Sequence, residues 1–240
     1  METLKETTVA DLVAKNLNTA HVFKKYGIDF CCGGKKSIES VCEKNGIDFS
    51  ILSHELMEAV NTKERSYNYN QWELDFLSDH IVNVHHRYIE ESIPLLLSYG
   101  DKVTKVHGHH NTELPEIYEL VKQVCGELAA HMKKEELILF PFIKKIANAK
   151  RENNTLPRPH FGSVDNPVAM MEDEHEAAGE MLREIAELSS QYTPPDHACN
   201  TYKAYYSLLN EFEQDLHLHI HLENNILFPK AKQMEKEVIQ

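Results

Sequence analysis

The chain has 240 residues, with 25 Lys and Arg against 38 Asp and Glu, so its formal net charge is −13 at pH 7. Such a negative charge argues against nucleic acid or an anionic membrane surface as a partner. The five cysteines are an odd number, which favours a reducing, cytoplasmic setting over a disulfide scaffold. No apolar run approaches the ~18 residues of a membrane-spanning helix, and residues 1–18 have no signal-peptide pattern.

Residues 1–62 are predicted to form a small helical domain. Four residues of the types that cap helices are expected to begin its helices: Thr8, Asn18, Ser37 and Asp48. Residues 63–71 have no apolar periodicity, and we interpret them as a linker.

The chemical feature of this first domain is Cys31-Cys32, followed by two glycines. If a helix begins just after them, its positive end, together with Lys35 and Lys36, favours a thiolate at Cys31 or Cys32. Thiolates there suit transient metal binding or redox cycling. The alternative is a pair of buried cysteines at a tight turn. Three isolated cysteines are predicted to be core residues: Cys42, Cys125 and Cys199.

Residues 72–240 are predicted to form one all-α domain. Apolar periodicity indicates helices over about 72–99, 114–148, 166–191 and 198–232. Pro94 is expected to kink or restart the first helix, and residues 100–112 are expected to form a loop. Four long helices with short connections predict an up-down-up-down four-helix bundle.

A motif that occurs twice, 88 residues apart, organises this second domain. The first copy is 131–141 and the second copy is 219–229, and both have the pattern His-x-x-x-Glu-x-x-Ile-Leu-Phe-Pro. A repeat at fixed spacing indicates a duplicated structural unit.

The spacing of His and Glu within each copy favours metal binding. Residues i and i+4 share one face of a helix, so His131 and Glu135 can address one ion, as can His219 and Glu223. A single such pair is weak evidence, because a solvated helix face gives the same pattern at His54/Glu58, His86/Glu90 and His109/Glu113. The shared Ile-Leu-Phe-Pro distinguishes the two copies.

The repeat also predicts the remaining ligands. His175 lies 44 residues before His219, and His86 lies 45 before His131. Each half then supplies a lone His and a His-x-x-x-Glu pair. His85 is an alternative to His86 as the lone histidine of the first half. Six ligands suit two metals bridged by Glu135 and Glu223, and iron, manganese and zinc all accept imidazole and carboxylate. Three residues are candidates for supporting the ligands, with solvated surface as the alternative for each: Glu127, Glu174 and His107.

Three stretches together resemble the RIC (repair of iron centres) proteins, also called ScdA- or DnrN-type iron–sulfur cluster repair proteins. They are 26–34, which contains Cys31-Cys32-Gly33-Gly34, then 131–136 and 219–229. The resemblance implies a hemerythrin-like bundle holding two non-haem irons, joined by an oxo or hydroxo bridge. It assigns the ligands as His86, His131, Glu135, His175, His219 and Glu223, and so selects His86 over His85.

The resemblance also implies a function. It indicates a cytoplasmic stress protein that restores iron–sulfur clusters damaged by nitric oxide or oxidants, with the damaged iron–sulfur proteins as clients. Iron donation through Cys31 and Cys32 is the first hypothesis. Nitric oxide reduction, or sensing of nitric oxide or dioxygen at the same irons, is the alternative. Assembly of the chain into a homodimer is left as an open alternative.

Overall fold

The computed structural model describes residues 2–61 and 67–239, and every regular element within them is helical. The predicted all-α fold class is therefore confirmed. None of the helices in these residues is long and apolar enough to cross a membrane. The chain divides into two compact units: unit 1 comprises Met1–Leu77, Ile146–Arg158 and Leu218–Gln240, and unit 2 comprises Ser78–Lys145 and Pro159–His217. The boundaries at 62 and 72 stay a prediction.

The first part of unit 1 is built from short helices: α1 Glu2–Glu6, α2 Val9–Lys15, α3 Ala20–Lys25, α4 Ile38–Asn45 and α5 Phe49–Asn61. Capping explains where several begin. Thr8 Oγ1 accepts the Asp11 N–H at 3.0 Å before α2, and Asp48 Oδ1 accepts the Ser50 N–H at 2.7 Å before α5. The predicted cap at Asn18 is wrong. Asn16 is the cap instead, and its Oδ1 accepts the Asn18 N–H at the start of a 3₁₀ turn, Leu17–Thr19.

The remaining helices follow the four predicted long segments. They are α6 Leu74–His80 and α7 Arg87–His107, then α8 Leu114–Lys134 and α9 Phe140–Arg151, then α10 Asp165–Leu188, and finally α11 Asn200–Leu222 and α12 Phe228–Val238. Within unit 2, α8 packs against both α7 and α10.

The expected restart at Pro94 does not occur, because Pro94 lies inside α7, and the loop expected over 100–112 begins only near Gly108. Proline removes one backbone hydrogen bond and crowds the preceding turn, which disfavours a helix. Ile89, Leu96 and Val103 form a buried stripe on either side of it. Burial of such side chains is worth about 1.5–3 kcal/mol each, so packing outweighs the local penalty.

Three π-helical segments interrupt the long helices: Ile81–His86, Glu135–Leu139 and Glu223–Leu227. The last two occupy the same positions in the two motif copies, and each ends two residues before the motif's proline. Proline has no N–H to donate to the carbonyl four residues back, and a widened turn accommodates that loss. π segments often mark functional sites, and here all three contain or adjoin predicted ligands.

A close approach at Gly100 fixes the packing of α7 in unit 2. A Cβ atom there would lie 2.5 Å from the Tyr118 ring on α8 and 2.8 Å from the Tyr205 hydroxyl on α11. Glycine is therefore required where these side chains meet the α7 backbone. This contact helps to hold α8, which carries His131, against its neighbours in unit 2.

Candidate metal centre

Unit 2 brings four predicted ligands together: His86, His131, Glu135 and His175. The Nε2 atoms of His86 and His131 each lie 3.3 Å from Glu135 Oε2, and His175 Nε2 lies 3.0 Å from His131 Nε2. All four residues are buried, with Glu135 fully so. Three imidazoles converging on a buried carboxylate form a donor set that suits a cation of the iron, manganese or zinc type.

Two carboxylates hold the imidazoles in this orientation. Glu136 Oε1 lies 3.0 Å from His86 Nδ1, and Glu174 Oε2 lies 2.8 Å from His131 Nδ1. A carboxylate can only accept, so each Nδ1 carries the proton and donates it. The lone pair is then left on Nε2, which faces Glu135. A second partner of this kind is the usual means by which proteins fix a metal-binding histidine.

Both orienting carboxylates are ionised. Burial alone would raise the pKa of Glu136, but hydrogen bonds from Lys133 and His86 outweigh burial and lower it. The pKa of Glu174 is lowered in the same way, since hydrogen bonds from Lys134 and His131 overcome the effect of burial. Each carboxylate therefore links a surface lysine to a buried imidazole. Their side chains are 22% and 34% exposed, so water reaches them.

His85 has a different partner from His86. Its Nδ1 lies 2.9 Å from Asp215 Oδ1 on α11. The adjacent positions thus point their rings at separate neighbours, as expected for a spacing of about 100° around a helix. Of the two, His86 is the one that meets Glu135, which agrees with the choice implied by the resemblance.

The second copy of the motif lies in unit 1 and repeats the local geometry. His219 Nε2 lies 3.0 Å from Glu223 Oε1, and both side chains are fully buried. The His131–Glu135 pair has the same i,i+4 arrangement. By contrast, His54 and Glu58 share this spacing but are 74% and 69% exposed. Burial therefore separates a ligand-type pair from a solvated helix face.

The three predicted supporting residues have different environments. Glu174 contacts His131 as described. Glu127 is exposed and accepts from Gln123 at 2.9 Å. His107 ends α7, ~30 Å along the helix from His86. Its Nε2 lies 3.3 Å from Cys199 Sγ, so the structure does not bring His107 to the cluster.

The sequence did not predict a role for Glu136, Lys133 or Lys134. Lys133 donates to Glu136 at 2.9 Å, and Lys134 pairs with Glu174. Their position inside the first copy was the only signal, and the second copy gives no help because it has His221, Leu222 and Asn224 at these positions. A feature present in one copy alone does not stand out in a repeat.

The condition for a thiolate at Cys31 or Cys32 is not met, because the next helix along the chain starts only at Ile38 and none begins just after the cysteines. The hydrogen bond to Cys32, burial and the charge of Asp29 all raise the pKa of the Cys31 thiol well above its ordinary value. Cys42 and Cys125 are buried as predicted, but Cys199 is exposed, which corrects its assignment to the core.

These features define a class of helical protein that has buried histidine–glutamate clusters suited to hold a metal. Residues 77–231 match the hemerythrin HHE cation binding domain. Residues 5–60 match ScdA_N, a domain of unknown function (DUF542).

Two relatives cover almost the whole chain. They are the iron-sulfur cluster repair proteins YtfE of Yersinia pseudotuberculosis serotype IB (strain PB1/+) and of Yersinia pestis (strain Pestoides F). Each is 35% identical over 210 residues, which is 88% of this chain and 89% of the relative. The chain therefore belongs to the hemerythrin-domain iron–sulfur cluster repair proteins that carry an ScdA_N domain. The resemblance inferred from the sequence is confirmed.

Proposed function

We propose that this protein repairs iron–sulfur clusters damaged by nitrosative or oxidative stress by donating iron that it holds between its helices. Five free thiols suit the reducing cytoplasm, where such damaged clients occur. The observation that carries the proposal is the buried cluster of His86, His131, Glu135 and His175 with its two ionised orienting carboxylates. The names of the relatives support the choice of clients.

We further propose that six residues hold two irons: His86, His131, Glu135, His175, His219 and Glu223. The donor chemistry fits, because every member is a buried imidazole or carboxylate. The duplicated motif supports two equivalent halves, with Glu135 and Glu223 each shared between the metals. When bound, such a pair of irons supplies one-electron redox chemistry and open coordination positions for small ligands such as nitric oxide.

Iron that is to be donated must also be released, and the exposure of the orienting carboxylates to water permits release. Glu136 and Glu174 are partly exposed, and their lysine partners lie at the surface. Ion pairs in contact with water contribute only about 0–1 kcal/mol. A carboxylate that leaves its imidazole for water frees the ring to turn away from the cation. Water can therefore replace the hydrogen bonds between the orienting carboxylates and the imidazoles of the cluster.

The test is anaerobic transfer of iron to a [4Fe–4S] client from which one iron has been removed. The iron-loaded chain should lose the amount of iron that the client gains. His131→Ala should neither hold nor deliver iron. His54→Ala is the matched control, since His54 has the same i,i+4 glutamate but is exposed, and it should transfer normally. Circular dichroism verifies the fold of each variant.

Two results would overturn iron donation. Repeated turnover of nitric oxide to nitrous oxide with iron retained in the chain would make the protein an enzyme. Reversible binding of nitric oxide or dioxygen, with neither transfer nor turnover, would make it a sensor. Iron analysis of the loaded chain separately tests the two-metal assignment, because one iron per chain would contradict it.

A further inference from the structure

A second group of ligand-type atoms lies in the ScdA_N domain, within unit 1. Ligand atoms of Asp29, Cys31 and Cys32 all lie within 4.8 Å of one another. Adjacent side chains point apart in a strand and diverge by about 100° in a helix, so this convergence needs a turn. Asp29 builds the turn, because its Oδ1 accepts the N–H groups of Cys31 at 2.9 Å and Cys32 at 3.0 Å.

The distance between the sulfurs suits a shared cation. Cys31 Sγ and Cys32 Sγ are 3.8 Å apart. Two thiolates bound tetrahedrally at the usual metal–sulfur distance of about 2.3 Å are themselves separated by about 3.8 Å. A disulfide is disfavoured, since adjacent Cα atoms are about 3.8 Å apart and ordinary disulfides need at least about 4.4 Å. The Asp29 carboxylate, with Oδ1 at 3.2 Å from Cys31 Sγ, supplies an oxygen ligand.

The turn is held in place from two sides. Gly34 accepts the Ala10 N–H at 2.9 Å through its carbonyl, and a Cβ at Gly34 would lie 2.8 Å from the Ala10 Cβ. On the other side, Asn225 Nδ2 donates to the Cys31 carbonyl at 3.0 Å. These two contacts hold the turn in addition to the hydrogen bonds that Asp29 Oδ1 accepts.

We propose that Asp29, Cys31 and Cys32 form a second metal site, which takes one borderline divalent cation such as Fe²⁺ or Zn²⁺ and leaves one coordination position open. Without a cation, the Cys31 thiol donates to the Asp29 carboxylate. Binding replaces the two thiol protons, which pass to solvent, so that two thiolates and one carboxylate bind the ion. Cation binding at this site does not depend on iron donation. Transfer of donated iron through the site rests on the proposed function.

Cobalt(II) is the probe, added anaerobically to the metal-free full-length chain. Only sulfur ligands give an intense near-ultraviolet charge-transfer band with this ion, so histidine–glutamate sites do not interfere. The wild type should develop the band to one equivalent. Cys31→Ser and Cys32→Ser should each remove most of it. Asp29→Asn keeps an oxygen that can accept the two N–H bonds but loses the charge, and should weaken binding about tenfold or more with the fold unchanged.

Cys199→Ser is the matched control, because Cys199 is an exposed thiol in unit 2, and it should leave the band intact. Absence of the band in the wild type, or its persistence in the Cys31→Ser/Cys32→Ser double variant, would overturn the second site. His131→Ala should keep the band. A band without iron transfer would contradict iron donation alone, and transfer without the band would contradict the second site alone.

Discussion

The two copies of the repeated motif share their proposed ligand positions but differ on their outer faces. Leu137 and Ile138 of the first copy are 72% and 46% exposed. The matching residues of the second copy are Asn225, which is partly buried, and Ile226, which is 1% exposed. Both copies nevertheless have the same π segment and the same buried His–Glu pair.

Some positions of the motif are the same in both copies, and others differ according to what they contact. The positions proposed to carry ligands, and those that accommodate the proline, are the same. The outer positions of the second copy instead contact the cysteine turn within unit 1. His221 packs its ring against Phe30 at 5.8 Å, and Asn225 donates to Cys31. In the first copy these positions are Lys133 and Leu137, which face water.

The largest expected effect comes from removing the shared carboxylates. Glu135→Ala and Glu223→Ala should both abolish stable binding of two irons, because each is proposed to bridge them. Iron analysis after desalting measures the loss. Glu58→Ala removes the glutamate of the exposed His54 pair and should retain full iron. If either variant keeps both irons, the two halves of the chain do not contribute equally to the site.

The next effect sharpens the contrast between the outer faces. Ile226→Ala should cost about 2–5 kcal/mol of unfolding free energy, because it leaves a cavity around a buried position. Ile138→Ala should change stability by no more than about 0.5 kcal/mol, since Ile138 is an exposed surface position. Chemical denaturation of both metal-free variants measures the pair. Equal losses would show that the two faces are packed alike.

A smaller effect is expected at the position that is Glu136 in the first copy and Asn224 in the second. Glu136→Gln keeps a hydrogen-bond acceptor for His86 but removes the charge, and should lower metal affinity about 10–100-fold. Competition with a chelator measures this change. Asn224→Ala alters the matching residue of the second copy, which is an amide rather than a carboxylate, and should change affinity less. The reverse order would contradict the role given to Glu136.

The smallest effect concerns the contact between Asn225 and the cysteine turn. Asn225→Ala removes an amide group that donates to the carbonyl of Cys31 at 3.0 Å and lies 3.4 Å from the carbonyl of Phe30 and 3.2 Å from His221 Nδ1, and should cost about 1–2 kcal/mol. The freed turn should let an alkylating reagent reach Cys31 several-fold faster at pH 8. Cys125 is the slow internal reference, because burial raises its pKa to about 12 and almost none of it is thiolate at that pH. Exposed Cys199 is the fast internal reference for alkylation. An unchanged rate at Cys31 would remove the anchoring role of Asn225.

The sequence predicted most of the fold and the ligand types because both depend on periodicity. Spacing of apolar residues located the four long segments, and the repeat identified His131, Glu135, His219 and Glu223. It could not decide between His85 and His86, since that choice depends on which neighbour each ring meets. Local propensity could not show that the helix continues through Pro94, because packing along α7 outweighs the local penalty. Nor could it show that no helix begins just after the cysteines and that Asp29 lies beside the Cys31 sulfur.

The π segments have a consequence for changes in chain length. A π turn contains one residue more than an α turn, so deleting Leu137 would remove the extra residue and restore ordinary winding without rotating the helix that follows. Phe140, whose ring stacks on His86 at 5.7 Å, would keep that contact. The same deletion in an α-helical stretch would rotate everything after it by about 100°.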